Sequence, residues 1–430
     1  MNLVRVIGGG LAGAEAAFQL ARRGLRVRLL EARPQTPTPA HTGPHLAELV
    51  CSNSLGSNAV GTGKGVLFAE MQACDSLIER LARAHAVPAG KAVAVDRERF
   101  AQAVTEAIEA EPNIELLRQE EHALPDAPAI VATGPLTTDS LARELARIAG
   151  ADHLHFYDAT SPIVDGASID RTVVFSADRR GEGEGDYLNC PLDKDEYDAF
   201  YQALMSAELV TPHEFEDARV FEGCRPIEQI ARRGVDTLRF GPMRPVGLTD
   251  PRTGRRPYAV VQLRREDVAG DAWNLVGFQT RMTFAAQREV LRLLPGLADL
   301  RLLRYGVIHR NTYLDGPRVL DASLALRNKP GVRVAGQITG VEGYLESAAM
   351  GLLAARFTAD ELAGRAPSLP PENTMIGALL HYVTTSERQP IEPMNANFGL
   401  LPSPEGKMGR AARKEAMHAV AIRALREWLG

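Results

Sequence analysis

The chain has 430 residues, of which 45% are hydrophobic and 24% charged, and its formal net charge is −5. These values indicate a globular protein with room for two or three domains, and they exclude a uniformly basic nucleic-acid-binding surface. No apolar run approaches the roughly 18 residues that a membrane span needs, so we expect a cytoplasmic protein without membrane contact. The four cysteines include no Cys-x-x-Cys pair, so neither a metal site nor a disulfide framework is expected.

The N-terminal residues predict a strand, a glycine turn, a helix and a second strand. Gly8, Gly10 and Gly13 have the Gly-x-Gly-x-x-Gly spacing, and the second strand ends at Glu31. In dinucleotide-binding domains these glycines permit a tight turn, close approach of a pyrophosphate and close helix packing, while the acid binds a ribose. The helix that begins near Leu11 directs free N–H groups at the phosphates. The predicted cofactor-binding residues here are Gly8, Gly9, Gly10, Leu11, Ala12, Gly13, Glu31 and Arg33.

A loop rich in Pro, His and Ser follows from 34 to 65. Within it, the stretch 61–65 resembles a phosphate-binding loop, but Lys64 is not followed by Ser or Thr and no strand precedes it. We therefore predict a flexible surface loop there. The next predicted elements are helices over 67–84 and 97–110.

Two later segments complete the predicted cofactor site. The apolar strand 129–131 ends in Ala-Thr-Gly, which is typical of flavin-binding Rossmann domains. Near the end of the chain, the strand 332–335 runs into a glycine-rich turn and a helix of small residues, which forms a second helix N-terminus suited to a phosphate or a flavin. The predicted cofactor-binding residues here are Ala132, Thr133, Gly134, Gly336, Gln337, Gly340 and Gly343.

The order of these segments predicts an α/β fold with a split, glutathione-reductase-like FAD-binding domain of the Rossmann type. We expect residues 1–165 and 300–365 to form that domain, 166–299 to form an inserted α+β domain, and 366–430 to form a C-terminal tail that packs on the FAD domain. Further predicted elements are a helix over 193–209, strands over 258–263 and 273–278, and a C-terminal helix over 407–428.

Two cysteines have sequence contexts that favour chemistry. Cys51 lies in Val-Cys-Ser-Asn-Ser, and Cys224 lies between Gly223 and Arg225. The adjacent guanidinium favours the thiolate form of Cys224, which is the nucleophilic form. We expect Cys74, on a predicted helix, and Cys190, in a predicted loop, to be small buried residues.

The segment 225–265 contains ten arginines and only three acids. Arginine forks bind phosphate well, so an anionic partner such as RNA fits this segment, although a solvated face with ion pairs is the alternative. The candidate residues for contact with such a partner, which the family resemblance given below implies is tRNA, are Arg225, Arg232, Arg233, Arg255 and Arg256.

Several motifs together resemble one flavoprotein family, that of the glucose-inhibited division proteins, and in particular its shorter members, the folate- and FAD-dependent tRNA (uracil-5-)-methyltransferases. The resemblance covers nearly the whole chain, but the loop after Leu55 is shorter and richer in glycine than the family pattern, which leaves the role of Lys64 open. The motifs that carry it are 51–55, 157–164, 187–191, 223–228, 239–243, 258–263, 276–280, 305–312 and 395–402.

The resemblance implies that the T-loop uridine of tRNA is converted to ribothymidine. Methylenetetrahydrofolate would supply the carbon, and NADPH or NADH would supply the reducing equivalents through FAD. Cys224 would attack the uracil and Cys51 would act as acid, base or second covalent group, although the two roles could be reversed. His309 is the candidate residue for contact with folate. A wobble-uridine modifying enzyme, a small-molecule FAD oxidoreductase and a non-catalytic RNA-binding flavoprotein are the alternatives.

Overall fold

The computed structural model describes residues 3–38, 40–149, 154–179, 185–210, 225–387, 391–404, 406 and 408–430, with the backbone alone at 149, 154–158 and 308–311. The strands are β1 (Leu3–Ile7), β2 (Arg26–Glu31), β3 (Ser54–Ser57), β4 (Ala86–Val87), β5 (Ala92–Val95), β6 (Ile114–Arg118), β7 (Ala129–Val131), β8 (Leu154–Ala159), β9 (Ile163–Asp165), β10 (Phe175–Ser176), β11 (Tyr187–Leu192), β12 (Ala259–Arg265), β13 (Ala272–Leu275), β14 (Leu302–Arg304), β15 (Ile308–Tyr313), β16 (Ala325–Leu326) and β17 (Lys329–Val334). The helices are α1 (Leu11–Arg22), α2 (Gly63–Ala73), α3 (Leu77–Ala84), α4 (Arg97–Glu109), α5 (Asp139–Ala149), α6 (Lys194–Ser206), α7 (Ile227–Ala231), α8 (Thr237–Phe240), α9 (Phe284–Leu291), α10 (Gly316–Val319), α11 (Tyr344–Leu362), α12 (Met375–Thr385) and α13 (Arg410–Leu429).

A six-stranded sheet in the order β16-β17-β7-β1-β2-β6 forms the centre of the N-terminal fold. The strands from β17 to β6 pair in parallel, and β16 pairs antiparallel at one edge. Because the sheet joins β1, β2, β6 and β7 to β17 from the far end of the chain, the predicted split of the cofactor-binding unit is confirmed. The α/β fold class is confirmed with it.

Helices α1 and α11 lie against each other, and both begin at the same edge of this sheet. Their packing is close because Gly351 on α11 has no side chain: a Cβ there would lie 2.1 Å from the carbonyl oxygen of Ala12. In the described residues neither helix has a side-chain N-cap, since α1 follows Gly10 and α11 follows Gly343. Two helix N-termini therefore present backbone N–H groups that no side chain caps, which suits an anionic ligand.

The second sheet has the order β10-β11-β12-β13-β9-β14 and is antiparallel throughout its recorded pairs. Val261 and Leu263 on β12 join the second hydrophobic core with Tyr197 and Phe200 of α6. Arg264, on the opposite face, points toward the N-terminal fold. Strands β9 and β14 lie outside the predicted interval 166–299, so the sheet extends beyond those bounds; the domain division as such stays a prediction.

The prediction of one continuous helix over 67–84 is wrong. The chain instead forms α2 and α3, separated at Cys74–Ser76, because Asp75 has a positive φ of 54° and Ser76 caps α3 by accepting the N–H of Glu79. Buried Glu15 on α1 reinforces the break, since it accepts hydrogen bonds from the Ser76 hydroxyl at 2.8 Å and the Ile78 N–H at 3.0 Å. The hydrophobic periodicity of residues 67–84 contains no information about Glu15, because this acceptor lies on another helix.

The predicted flexible loop over 61–65 is also wrong. Thr62 caps α2 by accepting the N–H of Gly65, so the helix begins at Gly63. A Cβ at Gly63 would lie 2.5 Å from the Cα of Asn397, which shows how closely the C-terminal residues pack on this helix start. Cys190, predicted in a loop, lies instead in β11 and is fully buried.

The C-terminal residues pack on the large core of the N-terminal fold. Met417, Ala421 and Leu425 of α13 are buried in that core. Helix α12 was not predicted, and it begins where buried Glu70 of α2 accepts the N–H groups of Met375 and Ile376 at 2.7 and 2.8 Å. The N-cap residue Thr374 accepts the Gly377 N–H, and Glu70, which is distant in the sequence, satisfies two further N–H groups of this first turn.

We expect Glu70→Gln to remove a pH-dependent part of the stability. Burial raises the pKa of Glu70 to about 7, from the ordinary 4.5. A group whose pKa is higher in the folded state than in the unfolded state stabilises the folded protein. This stabilisation is complete below the unfolded-state pKa and is lost as the pH rises through the folded-state pKa. At about 1.4 kcal/mol per pKa unit, the free energy of unfolding of the native protein should fall by roughly 3 kcal/mol across this window. Urea unfolding at several pH values would measure the decrease.

The variant should lack that decrease because glutamine does not titrate. Glu98→Gln, which changes an exposed glutamate in the first turn of α4, should retain it. A Glu70→Gln protein whose stability falls with pH as steeply as that of the native protein would contradict the prediction.

Candidate active site

An open cleft lies at the edge of the parallel sheet where α1 and α11 begin. It is lined mainly by the ends of β1, β2 and β7 and by the first turns of the two helices. Most of the predicted cofactor-binding residues line it, namely Gly8, Gly10, Leu11, Ala12, Glu31, Arg33, Ala132, Thr133, Gly134, Gly336 and Gln337. Residues far apart in the sequence therefore meet around one space.

The three fingerprint glycines have different surroundings. A Cβ at Gly13 would lie 1.7 Å from the carbonyl oxygen of Gly8, and Gly8 itself has a φ of +96°. A Cβ at Gly10 would meet no described atom within 4 Å, because this position faces the cleft. Two glycines thus let the backbone pack, while the third leaves room for a ligand, which is the arrangement that FAD requires.

Glu31 is buried at the end of β2 and holds the glycine turn. Its carboxylate accepts the Gly9 N–H at 2.7 Å and both the backbone N–H and the Nε–H of Arg33 at 2.9 Å. Burial opposes ionisation, but the Arg33 guanidinium holds the pKa of Glu31 below its usual value. Arg33 also pairs with Glu48 at 3.0 Å. The carboxylate is therefore held ionised at the cleft wall, as binding of a ribose hydroxyl requires.

Cys51 lies beside this cleft. Its neighbour Val50 lines the cleft, and Tyr344, which also lines it, accepts the backbone N–H groups of Cys51 at 2.9 Å and Ser52 at 3.2 Å. The Cys51 Sγ donates to the carbonyl oxygen of Ala159 at 3.8 Å. Cys51 and Cys74 are both partly accessible, so the prediction that Cys74 is buried is wrong, but partial burial still raises the pKa of Cys74 to about 12. Tyr344 thus fixes an accessible thiol next to the candidate FAD site.

Arginine side chains surround the Cys51 loop. Arg97 donates to the carbonyl oxygen of Leu49 and pairs with Glu266 at 2.8 Å, and Arg304 donates to the carbonyl oxygen of Ala40 at 2.6 Å. Both guanidinium groups interact electrostatically with Cys51. Negative charge that develops on reacting atoms here would be stabilised by this field.

The second sheet reaches the same loop through Arg264. Its guanidinium donates to the Ser52 hydroxyl at 2.7 Å and to the Asn53 side-chain oxygen at 2.9 Å. The Asn53 amide in turn donates to the carbonyl oxygens of Val95 and Arg265. The Cys51 loop is therefore held between β12 of the second sheet and β5, which belongs to a separate three-stranded sheet.

Lys64 also belongs to the cleft region. Its Nζ pairs with the fully buried Glu346 on α11 at 3.1 Å, and Glu346 also accepts the Ala396 N–H at 2.9 Å. A Cβ at Gly343 would lie 2.8 Å from this Nζ. The role of Lys64 that the sequence left open is thus, at least, to tie α2, α11 and the C-terminal residues together at the start of α11.

Four predicted cofactor-binding residues do not line the cleft. Gly9 and Gly13 support its wall, Gly340 packs against Ile391, and Gly343 precedes α11.

The candidate tRNA contacts lie at the surface. Arg225 is partly exposed, and the others are exposed, namely Arg232, Arg233, Arg255 and Arg256.

Two central predictions fall where the structure gives no side chain. Cys224 lies outside the described residues. His309 is described only as a backbone position in β15, opposite Asp158 of β8. The predicted roles of both residues stay predictions.

The residues that follow Cys224 are anchored toward the Cys51 loop. The Ile227 N–H donates to the backbone carbonyl oxygen of Gln279 at 2.7 Å. The buried Glu228 carboxylate accepts a hydrogen bond from the Thr280 hydroxyl at 3.1 Å. The Thr280 N–H then donates to the carbonyl oxygen of Thr160, the residue after Ala159. The chain entering at 225 is thus linked, through two loops, to the carbonyl that accepts from Cys51.

Sequence reasoning missed Tyr344 and the polar residues at the far end of the cleft. His41, for example, lines the cleft, and burial lowers its pKa to about 4.

Across the described ranges, no helix is both long and apolar enough to cross a membrane. The same ranges contain no group of three or more His, Cys, Asp or Glu residues placed to hold a metal, and the expected absence of a metal stays a prediction.

The fold and cleft define a flavoprotein with a split FAD-binding domain and an antiparallel second sheet. Residues 3–366 match the family model described as Glucose inhibited division protein A. The chain therefore belongs to the glucose inhibited division protein A family, as its motifs indicated.

Relatives in this family are similar over their whole length. The chain is 53% identical to a Moorella thermoacetica protein named methylenetetrahydrofolate–tRNA-(uracil-5-)-methyltransferase TrmFO, over 99% of this chain and 97% of that protein. It is 50% identical to a Staphylococcus aureus protein of the same name, over 98% of this chain and 97% of that protein. The solved structure of Aquifex aeolicus GidA superposes with a TM-score of 0.71 at 17% identity, over 99% of this chain and 73% of that one. This last likeness shows the fold alone.

Proposed function

We propose that this protein is a methylenetetrahydrofolate-dependent tRNA (uracil-5-)-methyltransferase that forms ribothymidine in the T loop. The observation that carries the proposal is 53% identity, over 99% of the chain, to a relative that bears this activity in its name. The accessible Cys51 beside an FAD-type cleft supports it, because C5 methylation of uracil needs a thiol near a source of hydride.

The chemistry follows from the poor reactivity of uracil. A thiolate that adds to C6 makes C5 nucleophilic, so that C5 can attack the electrophilic methylene of the folate. A base then removes the C5 proton while tetrahydrofolate leaves, which breaks the bond between its nitrogen and the transferred carbon and produces an exocyclic methylene on C5. Addition of a hydride to this methylene, with loss of the thiolate from C6, gives the methyl group and restores the ring. We assign the attack to Cys224 and the proton transfer to Cys51, with the reverse assignment still open. FAD bound in the cleft, reduced by NADPH or NADH, would be the source of this hydride.

The cofactor roles follow from the cleft. We assign pyrophosphate binding to the glycine turn and the first turn of α1, and ribose binding to Glu31. The start of α11, with Gly336 and Gln337 nearby, would face the flavin. The support is the pair of helix N-termini without a side-chain cap and the open space at Gly10.

The substrate contacts and the domain division are further parts of the proposal. Folate would contact His309, and tRNA would contact the arginines of the segment 225–265. Residues 1–165 and 300–365 would bind FAD, and 166–299 would present the tRNA. The packing of the tail on the large core supports its assignment to the FAD-binding unit.

One assay tests the function. The purified protein is incubated with an unmodified tRNA transcript, NADPH and labelled methylenetetrahydrofolate, and methylated uridine is mapped by nuclease digestion. We expect label in the T loop that depends on folate. Label from S-adenosylmethionine alone, label confined to the wobble position, or NADPH oxidation without tRNA labelling would overturn the proposal.

A further inference from the structure

Among the large apolar side chains of the described residues, that of Phe240 is the most exposed to solvent. Phe240, the last residue of α8, is 80% exposed. Among the described residues, no aromatic ring or cation is recorded against its ring. A single exposed apolar residue is common and needs no explanation by itself. Its surroundings are what distinguish Phe240.

Phe240 lies within a run of short turns that we call the basic segment, residues 232–256. The acids of this segment are Asp236 and Asp250, and each is already paired, with Arg239 at 2.7 Å and with Arg252 at 2.8 Å. Other exposed arginines of the segment are Arg232, Arg233, Arg244, Arg255 and Arg256. Phe240 therefore lies in a segment that contains seven arginines and two acids.

The backbone that carries Phe240 is well supported. The Met243 N–H donates to the carbonyl oxygen of Leu238 at 2.8 Å, and both side chains are fully buried. Arg239 stacks on the Tyr258 ring, with its guanidinium carbon 3.6 Å from the ring centroid, and donates to the Tyr258 carbonyl oxygen at 3.1 Å. Because the backbone here is already ordered, binding of a partner at Phe240 would have to order only its side chain.

We propose that Phe240 is a stacking platform for an unpaired base of the tRNA substrate, while the arginines of the basic segment contact the flanking phosphates. An exposed ring inside positive charge fits single-stranded RNA, because unpaired bases offer a π face and the backbone offers negative charge. Duplex RNA hides its base faces, and an acidic protein partner would not need a ring. The inference rests on the proposed function and names the part of the substrate that this surface holds.

Phe240→Ala should weaken binding of the unmodified tRNA transcript by about 5- to 100-fold, the range for loss of one stacked base. Phe240→Trp should bind as the native protein does, and its new indole should be quenched when a single-stranded T-loop oligonucleotide binds. An RNA duplex of equal charge should cause little quenching. Filter binding and fluorescence titration would measure these effects.

The salt dependence separates the ring from the charges. Phe240→Ala should keep the native slope of log Kd against log salt concentration, whereas the double variant Arg255→Gln, Arg256→Gln should reduce that slope by about 1 to 2. Leu369→Ala, which changes another exposed apolar side chain outside the segment, is the matched control and should bind normally.

Native affinity in Phe240→Ala would overturn the proposal, and so would an unquenched indole in Phe240→Trp. A lower melting temperature in Phe240→Ala together with an unquenched indole would assign the ring to the fold instead. These outcomes are independent of the proposed function: a native protein that methylates tRNA while Phe240→Ala binds normally refutes the stacking alone. A native protein that neither binds nor methylates tRNA refutes the function.

Discussion

Gly13→Ala is expected to abolish FAD binding and to destabilise the N-terminal fold. The new methyl carbon would lie 1.7 Å from the carbonyl oxygen of Gly8, and both atoms belong to the rigid junction of β1 and α1. Ordinary overpacking of a core costs about 1–3 kcal/mol because side chains can move aside, but backbone at this junction cannot. The measurement is the flavin content of the purified protein, together with its thermal midpoint.

Two other glycines provide matched controls. Gly10→Ala adds a methyl group that faces the cleft and meets no described atom within 4 Å, so the apoprotein should fold normally and bind FAD at least tenfold more weakly. Gly61→Ala also meets no described atom within 4 Å and should change neither property. A Gly13→Ala protein that carries a full complement of FAD at the native thermal midpoint would show that the backbone can relax.

The sequence predicted the elements whose signals are local. The glycine spacing defined β1, α1 and β2, and the predicted helix over 97–110 corresponds to α4 at Arg97–Glu109. It failed where a distant side chain decides the outcome. Glu15 adds to the local cap of Ser76 on α3, and Glu70 adds to the local cap of Thr374 on α12, so part of what fixes each helix start comes from a buried acid that no local pattern reveals.

The site shows the same division. Cys51 was identified from its neighbours in the sequence, but the oxygen that holds its loop belongs to Tyr344. The Arg264 contact to Ser52 likewise joins a strand of the second sheet to a loop that is distant in the sequence. Such contacts depend on how the second sheet lies against the Cys51 loop. Hydrophobic periodicity and motif spacing contain no information about that arrangement. The glycine that precedes Tyr344 at a helix start was the one available signal.

Cys51→Ala and Cys224→Ala are each expected to reduce formation of methylated uridine by about 10²- to 10⁴-fold, while FAD remains bound. This is the size of effect expected when a positioned proton-transfer group or nucleophile is removed. For Cys51 the reason is its position, because its loop is fixed by Tyr344 at the cleft and lies in the field of Arg97 and Arg304. The folate-dependent tRNA assay measures the activity, and absorbance measures the flavin.

The remaining cysteines make the test specific. Cys74→Ala and Cys190→Ala should keep activity within a few-fold, because burial raises the pKa of both thiols and leaves them unreactive. The two roles separate with a tRNA that contains 5-fluorouracil, whose C5 has no proton to lose, so that the attacking thiol stays covalently bound to C6. Cys51→Ala should still form this protein–RNA adduct and Cys224→Ala should not. The opposite result would assign the attack to Cys51, and full methylation by either variant would remove that thiol from the mechanism.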